Sequence, residues 1–431
     1  MRKVPLHRRI DYYIPRTITL QKMAAEIVSA TAPDARELST ADAVHTLLAS
    51  FLGWTLDAFD FFILIFVLPT VAKDFHRSVP DIAFTITATL AMRPVGALIF
   101  GWFADRYGRR LPLMVDVIFY SIVEVLSGLA PTYGWFLFFR ALYGIGMGGE
   151  WGVGASIAME AVPARWRGLL SGVLQEGYAV GYLLAAAGYF LIYPHFGWRP
   201  LFFLGGIPAL LTLYIRAKVP ESKSWSLNRP PPGAIWRALR RNYCRFLYLV
   251  ALMTMMNLVS HGTQDMYPTF LKIERGLDPR TVATIAIIYN IGALLGGLVF
   301  GYFSDRFGRR RSMVAAVLCG VLIVPFWIYP HSLVWLTVGA FLMQFMVQGA
   351  WGAIPAHLVE LSPPEVRGLF SGLAYQLGVL LAANAAFVEA LIAQRLGYAA
   401  ALALVASIVL CGDAVVIALG SERKGSDLHA T

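Results

Sequence analysis

Gly101-Trp-Phe-Ala-Asp-Arg-Tyr-Gly-Arg-Arg110 returns 200 residues later as Gly301-Tyr-Phe-Ser-Asp-Arg-Phe-Gly-Arg-Arg310, with seven of the ten residues identical. The same shift pairs Trp151-Gly152 with Trp351-Gly352, Glu160 with Glu360, Arg167-Gly168 with Arg367-Gly368, and Ser171-Gly172 with Ser371-Gly372. A self-match held at one offset over this length marks an internal duplication. Outward from the two copies run apolar stretches of about 20 residues, the length that crosses a bilayer as a helix. They begin near Leu47, Ile82, Leu111, Gly134, Trp166, Arg199, Phe246, Val282, Ser312, Ser332, Gly368 and Tyr398. The pattern predicts an all-α integral membrane protein with twelve transmembrane helices in two six-helix halves, residues 45–219 and 243–420. A polar, Pro-rich central loop (220–242) joins them, and tails of 1–44 and 421–431 flank them.

Composition agrees. Of 431 residues, 58% are hydrophobic and only 14% charged, too few charges to cover soluble domains of this size. The net charge of +10 does not point to nucleic acid, because the basic residues lie in short loops between apolar runs and not on a soluble face. With the N-terminus cytoplasmic, 27 of the 36 Lys and Arg fall in the tails and even-numbered loops and 7 on the other side. The positive-inside rule then places both termini in the cytoplasm of a multi-pass protein of the cell (inner or plasma) membrane. The remaining two, Arg93 and Arg140, fall within spans. Residues 1–44 carry no apolar core for a cleavable signal and read as a cytoplasmic tail. Cys244, Cys319 and Cys411 are widely spaced fillers without metal or redox spacing, so neither a metal nor a cofactor is expected. No nucleophile–base pair or phosphate loop marks an enzyme, and the chain reads as a monomer.

The doubled loop works physically as a clamp. Asp105 and Asp305 can accept from Arg and from a helix N-terminus, while glycines let the turn pack closely. The gating residues are then Gly101, Asp105, Arg106, Gly108 and Arg109, with Gly301, Asp305, Arg306, Gly308 and Arg309 in the second half. This doubled G-x-x-x-D-R-x-G-R-R resembles the signature loop of the major facilitator superfamily, a resemblance covering Leu47 to Gly420.

Ionisable groups at membrane depth cost at least about 2.5–3.5 kcal/mol and mark candidate sites. They are Asp57, Asp60, Arg93, Asp116, Glu124, Arg140, Glu150, Glu176, His261, Asp265 and Asp413. Asn257, His261 and Asp265 recur every four residues and form one polar stripe, which must face other helices or a water-filled cavity. The stripe is either an interhelical hydrogen-bond network or a proton site in which His261 and Asp265 share the proton. Asp57 and Asp60, one turn apart, are expected to share a face and hold a proton between them, with gating or packing as the other reading. Arg93 can select a small acid through two parallel bonds to its carboxylate, unless it pairs with an acid of span one or four. Arg140 and Glu150 are expected in structural pairs with other helices. Glu176 is a further cavity candidate, and Trp151, Trp351, Gln348, His357 and Tyr375 read as packing.

The stretch Asn257-Leu-Val-Ser-His-Gly-Thr-Gln-Asp-Met-Tyr-Pro-Thr269 closely resembles the N-x-x-S/T-H-x-S/T-Q-D-x-x-x-T signature of the Jen-type monocarboxylate:proton permeases, in the sialate:proton symporter group. Trp54-Thr-Leu-Asp-Ala-Phe-Asp-Phe-Phe62 and Gln175-Glu-Gly-Tyr-Ala-Val-Gly-Tyr-Leu-Leu184 look like the same group. The resemblance implies substrate recognition or coupling by Asn257, His261, Asp265, Arg93 and Gln376. The chain departs from fungal members in its shorter tails, and it lacks the two extra spans of some sialic acid permeases. The resemblance therefore implies a proton-coupled symporter of a short monocarboxylate such as lactate or pyruvate, whose partners are a small organic acid anion, a proton and the lipid bilayer. Substrate binding falls to Arg93, Asn257, His261 and Gln376, and coupling to Asp265, His261, Asp57 and Asp60. The alternatives are transport of sialic acid or another organic, aromatic acid, or a non-transporting membrane sensor.

Overall fold

The computed structural model describes residues 39–231 and 233–428, so most of the expected N-terminal tail lies outside the described residues. Every regular element among them is helical. Twelve long helical segments follow in order: α1 (Thr40–Asp74), α2 (Val79–Tyr107), α3 (Arg110–Leu129), α4 (Tyr133–Ala161), α5 (167–191), α6 (Arg199–Lys218), α7 (Tyr243–Ile273), α8 (Pro279–Phe307), α9 (Arg309–Ile328), α10 (Leu333–Leu361), α11 (Pro364–Leu396) and α12 (Tyr398–Leu419). Helix α1 begins seven residues before the expected apolar start, because its polar first turns carry no apolar signal. They are held by His45, whose Nδ1 lies 2.6 Å from the Tyr214 hydroxyl of α6.

Ten of the segments are long and apolar enough to cross a membrane. The other two differ for physical reasons. Helix α4 carries Arg140, Glu150 and Glu160 and is buried almost continuously from Gly146 to Glu160, so protein rather than lipid surrounds that stretch. Helix α5 is interrupted at Glu176 into Arg167–Gln175 and Gly177–Leu191, pieces of 9 and 15 residues.

The duplication is visible in the packing. Helix α2 lies on α4 as α8 lies on α10, and α1 on α5 as α7 on α11. The halves meet where α2 touches α11 and where α5 touches α8. Intimate contact between α2 and α4 depends on glycine: a Cβ at Gly144 or Gly148 would strike the backbone of Thr89 or Arg93. In return, Thr89 Oγ1 donates to the Arg140 carbonyl at 2.9 Å. Gly148→Ala is expected to cost about 1–3 kcal/mol by overpacking. It should lower the melting temperature in detergent, and an unchanged melting curve would contradict this packing.

The spans start and stop on local signals. Ser78 and Asp81 form a reciprocal cap at the start of α2, and Asp278 accepts from the N–H groups of Arg280 and Thr281 at the start of α8. These hydrogen bonds, led by that from the Thr281 hydroxyl, hold the Asp278 carboxyl below its ordinary value. Gly108 and Gly308 follow α2 and α8 with φ of 106° and 104°, a region that side chains disfavour, and the chain turns at once into α3 and α9. The joining stretch, read from sequence as a loop, carries the short helices Lys223–Leu227 and Ala234–Arg241.

Candidate functional site

Two arrangements stand out: a charged lock on the face bearing the doubled loops, called here the loop face, and a polar interior beyond it. In the lock, Asp105 accepts from Arg109 of its own turn and from the N–H groups of Gly368 and Leu369 at the start of α11, both at 2.9 Å. Asp305 does the same with Arg309 at 2.6 Å and with Gly168 and Leu169 of α5 at 2.8 and 2.9 Å. Each aspartate thus caps the N-terminus of a helix from the opposite half.

Glu160 joins Arg109 at 3.3 Å to Arg367 of the other half at 2.9 Å. Glu360 joins Arg309 at 3.1 Å to Arg167 at 3.0 Å. The central stretch and the C-terminal segment close over this lock. Ser222 donates to Glu160, Trp225 Nε1 donates to the Asp105 carbonyl at 2.7 Å, and the Ser426 and Leu428 carbonyls accept from Arg167 and Arg367 at 3.0 and 3.3 Å. Arg106 and Arg306 stand outside the network: Arg106 donates to the Pro230 carbonyl at 3.3 Å, and Arg306 rests on the Tyr302 ring.

Glu221 and Glu422 were not anticipated. Glu221 accepts from the Arg109 N–H at 2.7 Å, and Glu422 from the Arg310 N–H at 2.9 Å, so they cap α3 and α9 at repeat-related places. Burial raises the Glu221 carboxyl above its ordinary value, against the backbone N–H groups that favour its charge. The available signal was a glutamate in Pro-Glu-Ser after α6 and in Ser-Glu-Arg after α12.

In the interior, Arg93 of α2 is 4% exposed and makes no direct ion-pair contact among the described residues, with Asp57 of α1 and Glu150 of α4 within its electrostatic reach. Its Nε and one terminal nitrogen have no hydrogen-bond partner. It bonds Tyr375 and lies 6.0 Å from that ring's centre. Gln376, next in sequence, points its Nε2 at the Gly148 carbonyl at 3.5 Å, and Gly148 abuts the Arg93 backbone. Arg93 and Gln376 are therefore brought to one place from opposite halves. Tyr375 stacks on Trp151 at 4.2 Å and meets Trp54 and Trp351 edge-on, while Tyr178 stacks on Trp54 at 5.5 Å. These aromatics, of which Trp151, Trp351 and Tyr375 were read from sequence as packing, form a cluster drawn from α1, α4, α5, α10 and α11.

On α7, His261 Nδ1 lies 2.9 Å from Asp265 Oδ2, and both side chains are 35% exposed. Asn257 donates to the Met253 carbonyl of its own helix at 2.7 Å. The flank of the stripe is spent on neighbours: Ser260 accepts from Trp351 Nε1 at 2.7 Å and Gln264 donates to Gln344 at 2.8 Å. Tyr178 lies within electrostatic reach of Arg93, Asp57 and Asp265.

Asp57 and Asp60, expected to share a face, are not hydrogen-bonded to each other among the described residues. Asp57 accepts from the Tyr143 hydroxyl at 3.1 Å, whereas both Asp60 oxygens lack hydrogen-bond partners and the side chain lies beside Gly205 near Glu124. Three residues advance a helix by about 300°, so the carboxyls diverge by about 60° toward different neighbours. Arg140 pairs with Glu124 of α3 at 2.7 Å, while Glu150, expected in such a pair, lies against Gly53 with neither oxygen hydrogen-bonded.

The lock closes the loop face, while His261 and Asp265 on α7 remain partly exposed. A guanidinium without a direct ion pair can bind a carboxylate, and a His–Asp pair can hold a proton.

The family model of the Major Facilitator Superfamily matches residues 50–273 and 266–427. The chain is 31% identical over 373 residues to the carboxylic acid transporter protein homolog of Saccharomyces cerevisiae, spanning 80% of this chain but 60% of that one. It is 29% identical over 394 residues to the probable 4-methylmuconolactone transporter of Cupriavidus pinatubonensis, covering 88% and 91% of the two chains. The proton:xylose symporter XylE, bound to 6-bromo-6-deoxy-D-glucose, superposes with a TM-score of 0.72 at 19% identity over 90% of this chain and 98% of its own, a likeness of fold.

Proposed function

This chain belongs to the major facilitator superfamily, and from that premise we propose that it is a secondary active transporter of the cell membrane, coupling entry of a short monocarboxylate to entry of a proton by alternating access. The observation that carries the reading is Arg93, a buried guanidinium in direct ion-pair contact with no acid among the described residues, set beside Gln376 from the other half. The kinship to a carboxylic acid transporter homolog supports an organic anion as the substrate. With the loop face cytoplasmic, as the basic loops imply, the lock closes the cytoplasmic side, which in this reading makes the conformation an outward-facing one.

The cycle runs from this state. The His261–Asp265 pair takes a proton from outside, with Asp57 as a further proton site. The carboxylate passes the aromatic cluster to Arg93, with Asn257 and Gln376 holding its remaining oxygens. The halves then rock, the loop-face lock opens, and both ligands leave.

A second reading is favoured by the aromatic cluster itself. Trp54, Trp151, Tyr178 and Tyr375 cluster as stacked rings on the Arg93 side of the interior, and aromatic rings of this kind suit a cyclic or unsaturated acid. The kinship to a probable 4-methylmuconolactone transporter points the same way.

The test is uptake of labelled L-lactate into proteoliposomes that are alkaline inside, with and without the pH gradient, beside Asp265→Asn. The expected result is accumulation only with the gradient and its loss in the variant. An Asp265→Asn protein that still concentrates substrate overturns the coupling assignment. No lactate uptake, with thermal stabilisation by a cyclic acid, moves the substrate to the second reading. Binding without flux of any acid identifies a sensor.

A further inference from the structure

Glu176 lies at the break of α5, is 6% exposed, and has no hydrogen-bond partner for either carboxylate oxygen. Its carboxyl crosses to the other half and occupies the place a side chain on Gly297 of α8 would take. That same point is 3.6 Å from the Gln348 carbonyl oxygen of α10. The duplication gives this position a counterpart, because the 200-residue shift carries Glu176 onto Gln376 and Gly148 onto Gln348. At the counterpart, the Gln376 amide nitrogen points at the Gly148 carbonyl. One half thus sets an amide donor beside a backbone carbonyl at the interface, and the other half sets an acid there. A neutral carboxylic acid can reproduce the amide's role, whereas an ionised carboxylate is left beside a carbonyl with no donor, in the dry contact between halves.

The charged and titratable groups on the packed elements are Asp57 and Asp60 at this depth of α1, Arg140, Glu150 and Glu160 on α4, Tyr289, Tyr302, Asp305 and Arg306 on α8, and His357 and Glu360 on α10. Among the described residues none of them bonds Glu176, and loss of water is the influence acting on it. The same contact is part of the closed loop face. Gly168 and Gly172 of α5 touch the backbone of Gly301 and Gly297 of α8, with Glu176 about one further turn in. Rocking that opens the loop face parts α5 from α8 and brings water to the carboxyl.

We propose that Glu176 is a proton-carrying coupling residue: protonated, it allows α5 to seat on α8 and the loop face to close, and on opening it releases its proton to water on the loop side. The idea rests on the proton-coupled reading, but it assigns a proton to a site outside the α7 stripe and makes closure itself depend on pH.

The test reads conformation without substrate. Spin labels at Arg165→Cys and Glu365→Cys, in full-length protein whose Cys244, Cys319 and Cys411 are serine, report the separation of the halves at the loop face in lipid nanodiscs. The expected wild-type result is a short distance in acid that gives way to a longer one in alkali. Glu176→Gln should stay at the short distance throughout. Glu176→Asp, which keeps a titrating group, should switch with a displaced midpoint. In proteoliposomes, Glu176→Gln should retain substrate counterflow while gradient-driven accumulation is lost. A Glu176→Gln protein with the wild-type pH profile overturns the proposal. Because this readout needs no transported acid, it stands apart from the lactate test: loss of lactate uptake with an intact pH switch overturns the substrate assignment alone.

Discussion

Arg93→Lys is expected to lower substrate affinity roughly 10- to 150-fold, the equivalent of losing about 1.5–3 kcal/mol from one charge-assisted hydrogen bond. Lysine keeps the positive charge but presents a point where arginine presents a planar fork. It also loses the contact through which Tyr375 orients the guanidinium. The effect should fall on KM for uptake and on the concentration of acid needed for thermal stabilisation. Wild-type affinity in this variant would remove Arg93 from the carboxylate site. The prediction is sharp because Arg140, the other arginine at membrane depth, is already paired with Glu124 and is not available as a substitute.

Glu160→Ala should open the loop face. Glu160 is 1% exposed and lies between Arg109 of its own half and Arg367 of the other, so its removal leaves two guanidiniums short of a buried counter-charge. Breaking a buried pair from one side costs about 3–5 kcal/mol. The part owed to Arg367 exists only while the halves are closed, and that part shifts the equilibrium toward the open loop face. Label distances across this face should lengthen in Glu160→Ala and partly recover in Glu160→Ala/Arg367→Ala, in which the stranded charge is gone. Glu360→Ala should behave alike through Arg167. An unchanged distance distribution in Glu160→Ala would show that the face is held closed without the Glu160–Arg367 link.

These two cases bracket what a linear reading reaches. The duplicated loop, the apolar runs and the four-residue spacing of Asn257, His261 and Asp265 are local regularities, and they yielded the helices, the two halves and the His261–Asp265 pair. Helix periodicity places residues along one element, and positions three or four apart carry most of that information. It says less about partners on other elements. Asp57 and Asp60 share a turn yet turn to different neighbours, because 60° of divergence is enough once each helix face is packed. Tyr375, Trp351 and Trp151 look like packing in a membrane sequence, and it takes helices converging from both halves to cluster them and set the Tyr375 ring beside Arg93.

By itself the sequence determined the all-helical, two-half architecture and the presence of charges too costly to leave in lipid, since hydropathy and the repeat are written in residue order. The tertiary structure alone decided how those charges are matched: Asp105 to the helix start at Gly368, Glu160 to Arg367, Arg140 to Glu124, and Arg93 to no direct ion pair among the described residues. Ion pairing and capping act over a few ångströms between groups that can be 200 residues apart, so only the packed arrangement of the two halves selects the partners.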